Sequence, residues 1–139
     1  VITGDQIAES ARRYIGTPYV QNGRLKGIGV DCVGLVICAI NDAGGSVDAF
    51  IGPTDGDYIE AVIAGVAAHA DEVEPAAMLP GDVLVFRSAA MPQHMGVCVS
   101  GSTFVHSYDS PTFSCAIEDS LEPRWSTRIY KVFRYRGEA

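Results

Sequence analysis

The run Val33-Gly34-Leu35-Val36-Ile37-Cys38-Ala39-Ile40 is apolar on every side. A helix with no polar face has to be buried, so the rest of the chain must fold around this one. Gly44-Gly45 closes it. Asp31 precedes it as an N-cap, its carboxylate placed to accept from backbone N–H groups one turn in. Cys32 then falls in the first turn, at the positive end of the helix dipole. That position favours thiolate over thiol and predicts a pKa below the free value. Two readings of Cys32 follow: a buried structural cysteine, or a nucleophile held on the end of a rigid helix.

The chain has 139 residues, 47% of them apolar, enough for a globular core, and residues 1–139 read as a single domain. No apolar run reaches ~18 residues, so no membrane span is expected. No basic segment followed by an apolar run marks a signal peptide, although the chain starts at Val1 and a processed start stays open. The net charge of −7 argues against binding a nucleic acid through its backbone. The charge is also uneven. No Lys or Arg lies between Lys26 and Arg87, whereas ten acids lie from Asp31 to Asp82. The C-terminal part carries Arg124, Arg128, Lys131, Arg134 and Arg136. These are two solvated faces, or a docking surface for a larger assembly. Cys32, Cys38, Cys98 and Cys115 form no CxxC pair, which disfavours a zinc finger, and the large apolar core disfavours a disulfide framework.

Thr3 and Gln6 form a capping box, with Ile2 and Ile7 at the staple positions. Ile7, Ala8, Ala11, Tyr14 and Ile15 continue at helical spacing to Gly16. Gly16-Thr17-Pro18-Tyr19 is a turn into an irregular segment, where Gly23, Gly27 and Gly29 let the backbone bend close to Cys32. Tyr19 is a core aromatic or a hydrogen-bond donor. Ser46 to Thr54, with Pro53, reads as a loop. Asp55 to His69 reads as a helix with Tyr58, Ile59, Val62, Ile63 and Val66 on one face and His69 at its polar end. After the turn Met78 to Asp82 the pattern changes to short strands: Val83 to Arg87, Met95 to Val99, Thr103 to Ser107, Phe113 to Ile117 and Ile129 to Tyr135. Helices followed by strands predict an α+β fold with N-terminal helices on a mostly antiparallel sheet of about five to six strands.

A cysteine nucleophile needs a base within reach and a third group to orient it. His94 begins a strand and His106 ends the next. In an antiparallel hairpin, facing residues have a constant number sum. A two-residue turn at Gly101-Ser102 would put the two histidines on opposite faces. A three-residue loop Val99-Ser100-Gly101, or a five-residue loop with the same centre, would make His94 face His106 directly, with Gly101 in the left-handed region. The catalytic reading therefore requires an odd loop centred near Ser100.

Five pieces, in order, resemble the NlpC/P60 cysteine peptidases, which have a papain-like fold. They are Gly16-Thr17-Pro18-Tyr19, Asp31-Cys32-Val33-Gly34-Leu35-Val36, Pro80-Gly81-Asp82-Val83-Leu84-Val85-Phe86, His94-Met95-Gly96-Val97 and Phe104-Val105-His106-Ser107. Leu25-Lys26-Gly27-Ile28-Gly29-Val30-Asp31-Cys32 and Arg124-Trp125-Ser126-Thr127-Arg128 resemble the branch found in tailed bacteriophages and gene transfer agents. The resemblance implies Cys32 as nucleophile, His94 as general base and His106 as the orienting residue. It also implies an oxyanion held by the Cys32 N–H, with Tyr19 and Asp31 on the substrate and oxyanion side. Val33 departs from the serine that many members have, and Asn22-Gly23 from their paired glycines, which bears on specificity and on the seat of Tyr19.

The implied activity is cleavage of peptidoglycan stem peptides, commonly between D-γ-glutamyl and a diamino acid, with no metal and no cofactor. The implied partners are stem peptides and other tail or baseplate proteins. The implied location is a particle tail, made in the bacterial cytoplasm and acting in the periplasm or cell wall. Alternatives are a catalytically silent structural or wall-binding tail module, a thiol acyltransferase or amidase on the same fold, and a zinc site of Cys32, His94 and His106.

Overall fold

The computed structural model describes residues 2–47, 56–88 and 91–137. Most of the expected Ser46–Thr54 loop, Pro53 included, and Asp55 lie outside the described residues. The first helix, α1 (Gly4–Arg12), opens with the expected capping box: Thr3 Oγ1 accepts from the Gln6 N–H, and Gln6 Oε1 accepts from the Thr3 N–H. It stops at Arg12, one turn early, so Tyr14 is buried and Ile15 is exposed. The turn that follows needs Gly16 at φ +91°, a left-handed conformation costly for any other residue.

Two short strands, β1 (Arg24–Leu25) and β2 (Gly29–Val30), form a hairpin that delivers the chain to α2 (Cys32–Asp42). Asp31 caps α2 as expected, and every residue from Cys32 to Ile37 is buried. α3 (Gly56–Ala67) presents Tyr58, Ile59, Val62 and Val66 to the core; His69 lies in the turn after it. All three helices lie on the same side of a six-stranded antiparallel sheet in the order β3-β8-β4-β5-β6-β7. Its strands are β3 (Ala70–Val73), β4 (Val83–Ser88), β5 (Met91–Cys98), β6 (Thr103–Asp109), β7 (Ser114–Ser120) and β8 (Ile129–Tyr135). The α+β architecture is as expected from the sequence.

Three local departures have physical reasons. Residues 91–93 belong to β5 rather than to a loop: the register slips between Phe86↔His94 and Arg87↔Pro92, and that bulge accommodates a proline that cannot donate. β3 is absent from the sequence reading because Ala70-Asp71-Glu72-Val73 looks like a polar helix end; it is a charged edge strand paired with β8. The acidic middle and basic C-terminus are not simply two solvated faces. That pairing brings Asp71 to Arg136 at 3.3 Å and Glu72 to Lys131 at 3.6 Å, and Arg134 binds the buried Asp82 at 2.9 Å. Asp71, Glu72 and Asp82 of the acidic run thus meet three bases of the C-terminal run. No helix among the described residues is long and apolar enough to cross a membrane.

Candidate active site

Cys32 is positioned from three directions. The Asp31 carboxylate is fully buried and accepts from the Gly34 N–H at 2.7 Å, the Asn22 N–H at 2.8 Å and Arg24 Nη1 at 3.0 Å. The preceding loop lies so close that a Cβ on Gly34 would collide with the Gly23 carbonyl oxygen, which is why the first turn of α2 carries a glycine. From the sheet, Ser107 Oγ donates to the Val30 carbonyl at 2.7 Å and fixes the strand two residues ahead of the sulfur.

The expectation of a lowered thiol pKa is overturned. Cys32 is 4% exposed, and burial followed by the Asp31 charge pushes its pKa up to about 12. Backbone N–H groups of Met95, Val33 and Cys32 itself act in the opposite direction but do not win. The helix dipole is real; it is outweighed because the charged form of a buried thiol loses its water. Asp31 is a sequestered carboxylate whose three hydrogen bonds hold the turn. Tyr19 sits half-buried between β2 and the edge of β7, through bridges at Tyr19↔Val30 and Pro18↔Cys115. Burial, then the charges of Cys32 and Asp31, push its hydroxyl up to about 12, so it stays a donor facing that site.

The histidines are on one face of the sheet, but the register differs from the expected one. β5 and β6 pair through Val97↔Val105 and Cys98↔Phe104, a sum of 202 rather than 200. The three-residue loop is Ser100-Gly101-Ser102, centred on Gly101 rather than Ser100. Gly101 is not in the left-handed region; instead Ser100 Oγ accepts from the Ser102 and Thr103 N–H groups and closes the turn. In this register Gly96 lies opposite His106, where a Cβ would come within 3.3 Å of the His106 Cβ. His94 is therefore a diagonal neighbour of His106, a separation that two rings can span. His94 Nε2 and His106 Nδ1 are 2.7 Å apart.

Asp119 on β7 is absent from the sequence reading. Its Oδ2 lies 3.0 Å from His106 Nε2. Only the register of β6 and β7, His106↔Ile117, brings it there, so spacing in the chain held no signal for it. A carboxylate demands a donor, so the His106 proton sits on Nε2. His106 Nδ1 then accepts, His94 donates from Nε2, and His94 Nδ1 is left with a lone pair. That is the tautomer of a base.

A second unforeseen group is Trp125. Its buried ring lies 5.2 Å from His94 and 5.1 Å from His106, with Phe86 at 5.1 Å and Tyr108 at 5.3 Å around it. The cage keeps His94 at 6% and His106 at 0% exposure. Burial holds the His94 pKa well below the usual histidine range and lowers that of His106 to about 4, although Asp119 pulls the latter upward.

Cys32 packs in the helix-side core, and its link to the strand that carries His94 is through the backbone of Met95. Met95 packs in the helix-side core; His94, one residue earlier, points to the other side with its register partner Phe86. The sulfur is within reach of the Met95 N–H. No hydrogen bond joins Cys32 to His94 among the described residues, and burial keeps both the thiol and the imidazole neutral at rest. A zinc site of these three residues does not fit, since the two histidines direct their facing nitrogens at each other. Among the described residues no group of three or more His, Cys, Asp or Glu could hold a metal ion.

Residues 16–134 match the NlpC/P60 family model. Among solved structures, the fold is similar to the NlpC/p60 domain of the peptidoglycan hydrolase SagA, with TM-score 0.67 and 20% identity over 94% of this chain and 97% of that one. It is also similar to an NlpC/P60 family protein from Bacillus cereus, with TM-score 0.71 and 17% identity over 96% of this chain and 40% of that one. A third is RipD from Mycobacterium tuberculosis, described as a non-catalytic NlpC/p60 domain protein adapted to peptidoglycan binding, with TM-score 0.62 and 13% identity over 96% of each chain. No curated protein matches the sequence.

Proposed function

The chain belongs to the NlpC/P60 family, and from that membership we propose that it is a cysteine peptidase that cuts peptidoglycan stem peptides. The observation that carries this reading is the relay His94–His106–Asp119, which leaves a lone pair on His94 Nδ1 one residue from the backbone that touches the Cys32 sulfur. A buried, satisfied histidine pair serving only as core would need no such polarity.

In this mechanism the Cys32 thiol passes its proton to His94 Nδ1 as the sulfur attacks the amide carbon. The backbone N–H of Cys32 and the Tyr19 hydroxyl stabilise the oxyanion. His94 then gives that proton to the leaving amine, and water, deprotonated by His94, releases the acyl group and restores the thiol. His106 and Asp119 hold the tautomer through both steps. Because the resting thiol is neutral, the thiolate forms during attack instead of being stored as an ion pair.

The finer reading places the protein in the tail of a phage or gene transfer agent, next to other tail or baseplate proteins, acting on the periplasmic side of a host wall. It is supported by the likeness of Leu25–Cys32 and Arg124–Arg128 to that branch. The test is digestion of purified peptidoglycan by the parent chain and by Cys32→Ala, with mass spectrometry of the released muropeptides. Cleavage by the parent alone is expected, and the product masses identify the bond. Cleavage by neither points to a silent wall-binding module; equal cleavage by both removes Cys32 as the nucleophile.

A further inference from the structure

Two guanidiniums lie over the Trp125 ring. The Arg124 Cζ lies 4.9 Å from the Trp125 ring centre and 5.4 Å from that of Tyr108, while Nη2 donates to the Tyr108 hydroxyl at 3.0 Å. The Arg128 Cζ lies 4.7 Å from the Trp125 ring centre, with Nε donating to the Arg87 carbonyl at 3.1 Å. Arg12, Arg24, Arg134 and Arg136 each meet a carboxylate; Arg124 and Arg128 meet none among the described residues. Glu118 is engaged by Arg12 and Asp119 by His106. Both charges are felt at His94, where each disfavours the imidazolium.

Stacking and one hydrogen bond hold each guanidinium in place without neutralising it. Each keeps N–H donors in reserve, and a planar fork of such donors suits a carboxylate. Two such groups beside the proposed base also cost some basicity at His94. A ligand that neutralises them on binding would return it.

We propose that Arg124 and Arg128 form a carboxylate-binding subsite beside His94, so that the peptide cut here carries a free carboxylate close to the scissile carbonyl. This inference rests on the peptidase reading of the site. In a γ-D-glutamyl-diamino acid peptide the carboxylate is either the glutamyl α-carboxylate or the C-terminal one.

The test separates binding from turnover. Three peptides are titrated into the Cys32→Ala protein by calorimetry: one with both carboxylates free, one with the glutamyl α-carboxamide, one with the C-terminal amide. Trp125, the sole tryptophan, reports binding by fluorescence. Amidation of one position is expected to weaken binding about tenfold or more, as loss of a charge-assisted hydrogen bond does. That position identifies the carboxylate. Adding Arg124→Gln and Arg128→Gln is expected to reduce the preference to within about twofold while leaving affinity for the amide peptide unchanged, which also shows that the fold is intact. Equal affinity for all three peptides, a preference that survives both substitutions, or no binding of any peptide overturns the subsite. Preference without turnover by the parent chain keeps the subsite and removes the peptidase reading; turnover without preference does the reverse.

Discussion

On the helix side of the sheet, Val83, Val85, Met95, Val97 and Val105 share an aliphatic core with Leu35, Val36 and Ile37 of α2. On the other side, Phe86, Phe104, Trp125 and Tyr108 enclose two histidines and a path to a carboxylate. The first is packing without direction, which many side chains of similar volume satisfy. The second depends on ring angles, tautomers and one register. The proposed nucleophile belongs to the first side and the proposed base to the second, and the Met95 N–H meets the Cys32 sulfur between them. The difference teaches that both faces contribute packing but only one sets the protonation of the histidines, so substitutions should separate packing from proton chemistry.

Trp125→Ala gives the largest expected effect: a loss of about 3–5 kcal/mol in urea denaturation, because it empties the centre of the aromatic side. It also readmits water to His94, so the acid limb of the rate profile, expected below pH 6.5 in the parent, should move up toward 6.5. Leu35→Ala on the helix side costs about 3 kcal/mol and leaves that limb where it was. A shifted limb in Leu35→Ala would break the separation.

Acid titration sharpens it further. The folded His106 value, about 4, lies below the unfolded one, so as pH falls below about 6.5 the unfolded chain binds a proton that the folded chain refuses. Stability present at neutral pH is therefore lost progressively between pH 6.5 and 4, by roughly 3 kcal/mol from His106, with His94 acting in the same direction. Denaturation midpoints across that range should fall less steeply in His106→Asn; equal slopes would contradict the burial effect. The smallest effect is Asp119→Asn, which keeps the shape but no longer dictates the tautomer. A fall of about tenfold to a hundredfold in kcat/KM is expected, with stability nearly unchanged.

What was legible in the chain follows from how local each signal is. The Thr3–Gln6 box, the Asp31 cap, the apolar α2 and β8 from Ile129 to Tyr135 were readable because they depend on residues within a turn or on a period of two. The parity that puts His94 and His106 on one face was readable only as a condition, that the loop between their strands be odd. Their diagonal offset was not: Ser100 closes the loop with its hydroxyl, and glycine content alone suggested another turn.

The sequence by itself determined that helices precede the main strands and which end of the helix Cys32 sits on, and it reduced the face of the two histidines to the parity of one loop. Only the tertiary structure decided the ionisation of Cys32, the reach of Asp119 and the cage around His94. The reason is that a pKa is set by how much water and which charges surround a group, and those neighbours come from strands far apart in the chain. The helix N-terminus alone predicts a reactive thiolate; the buried seat beside Asp31 keeps it a thiol.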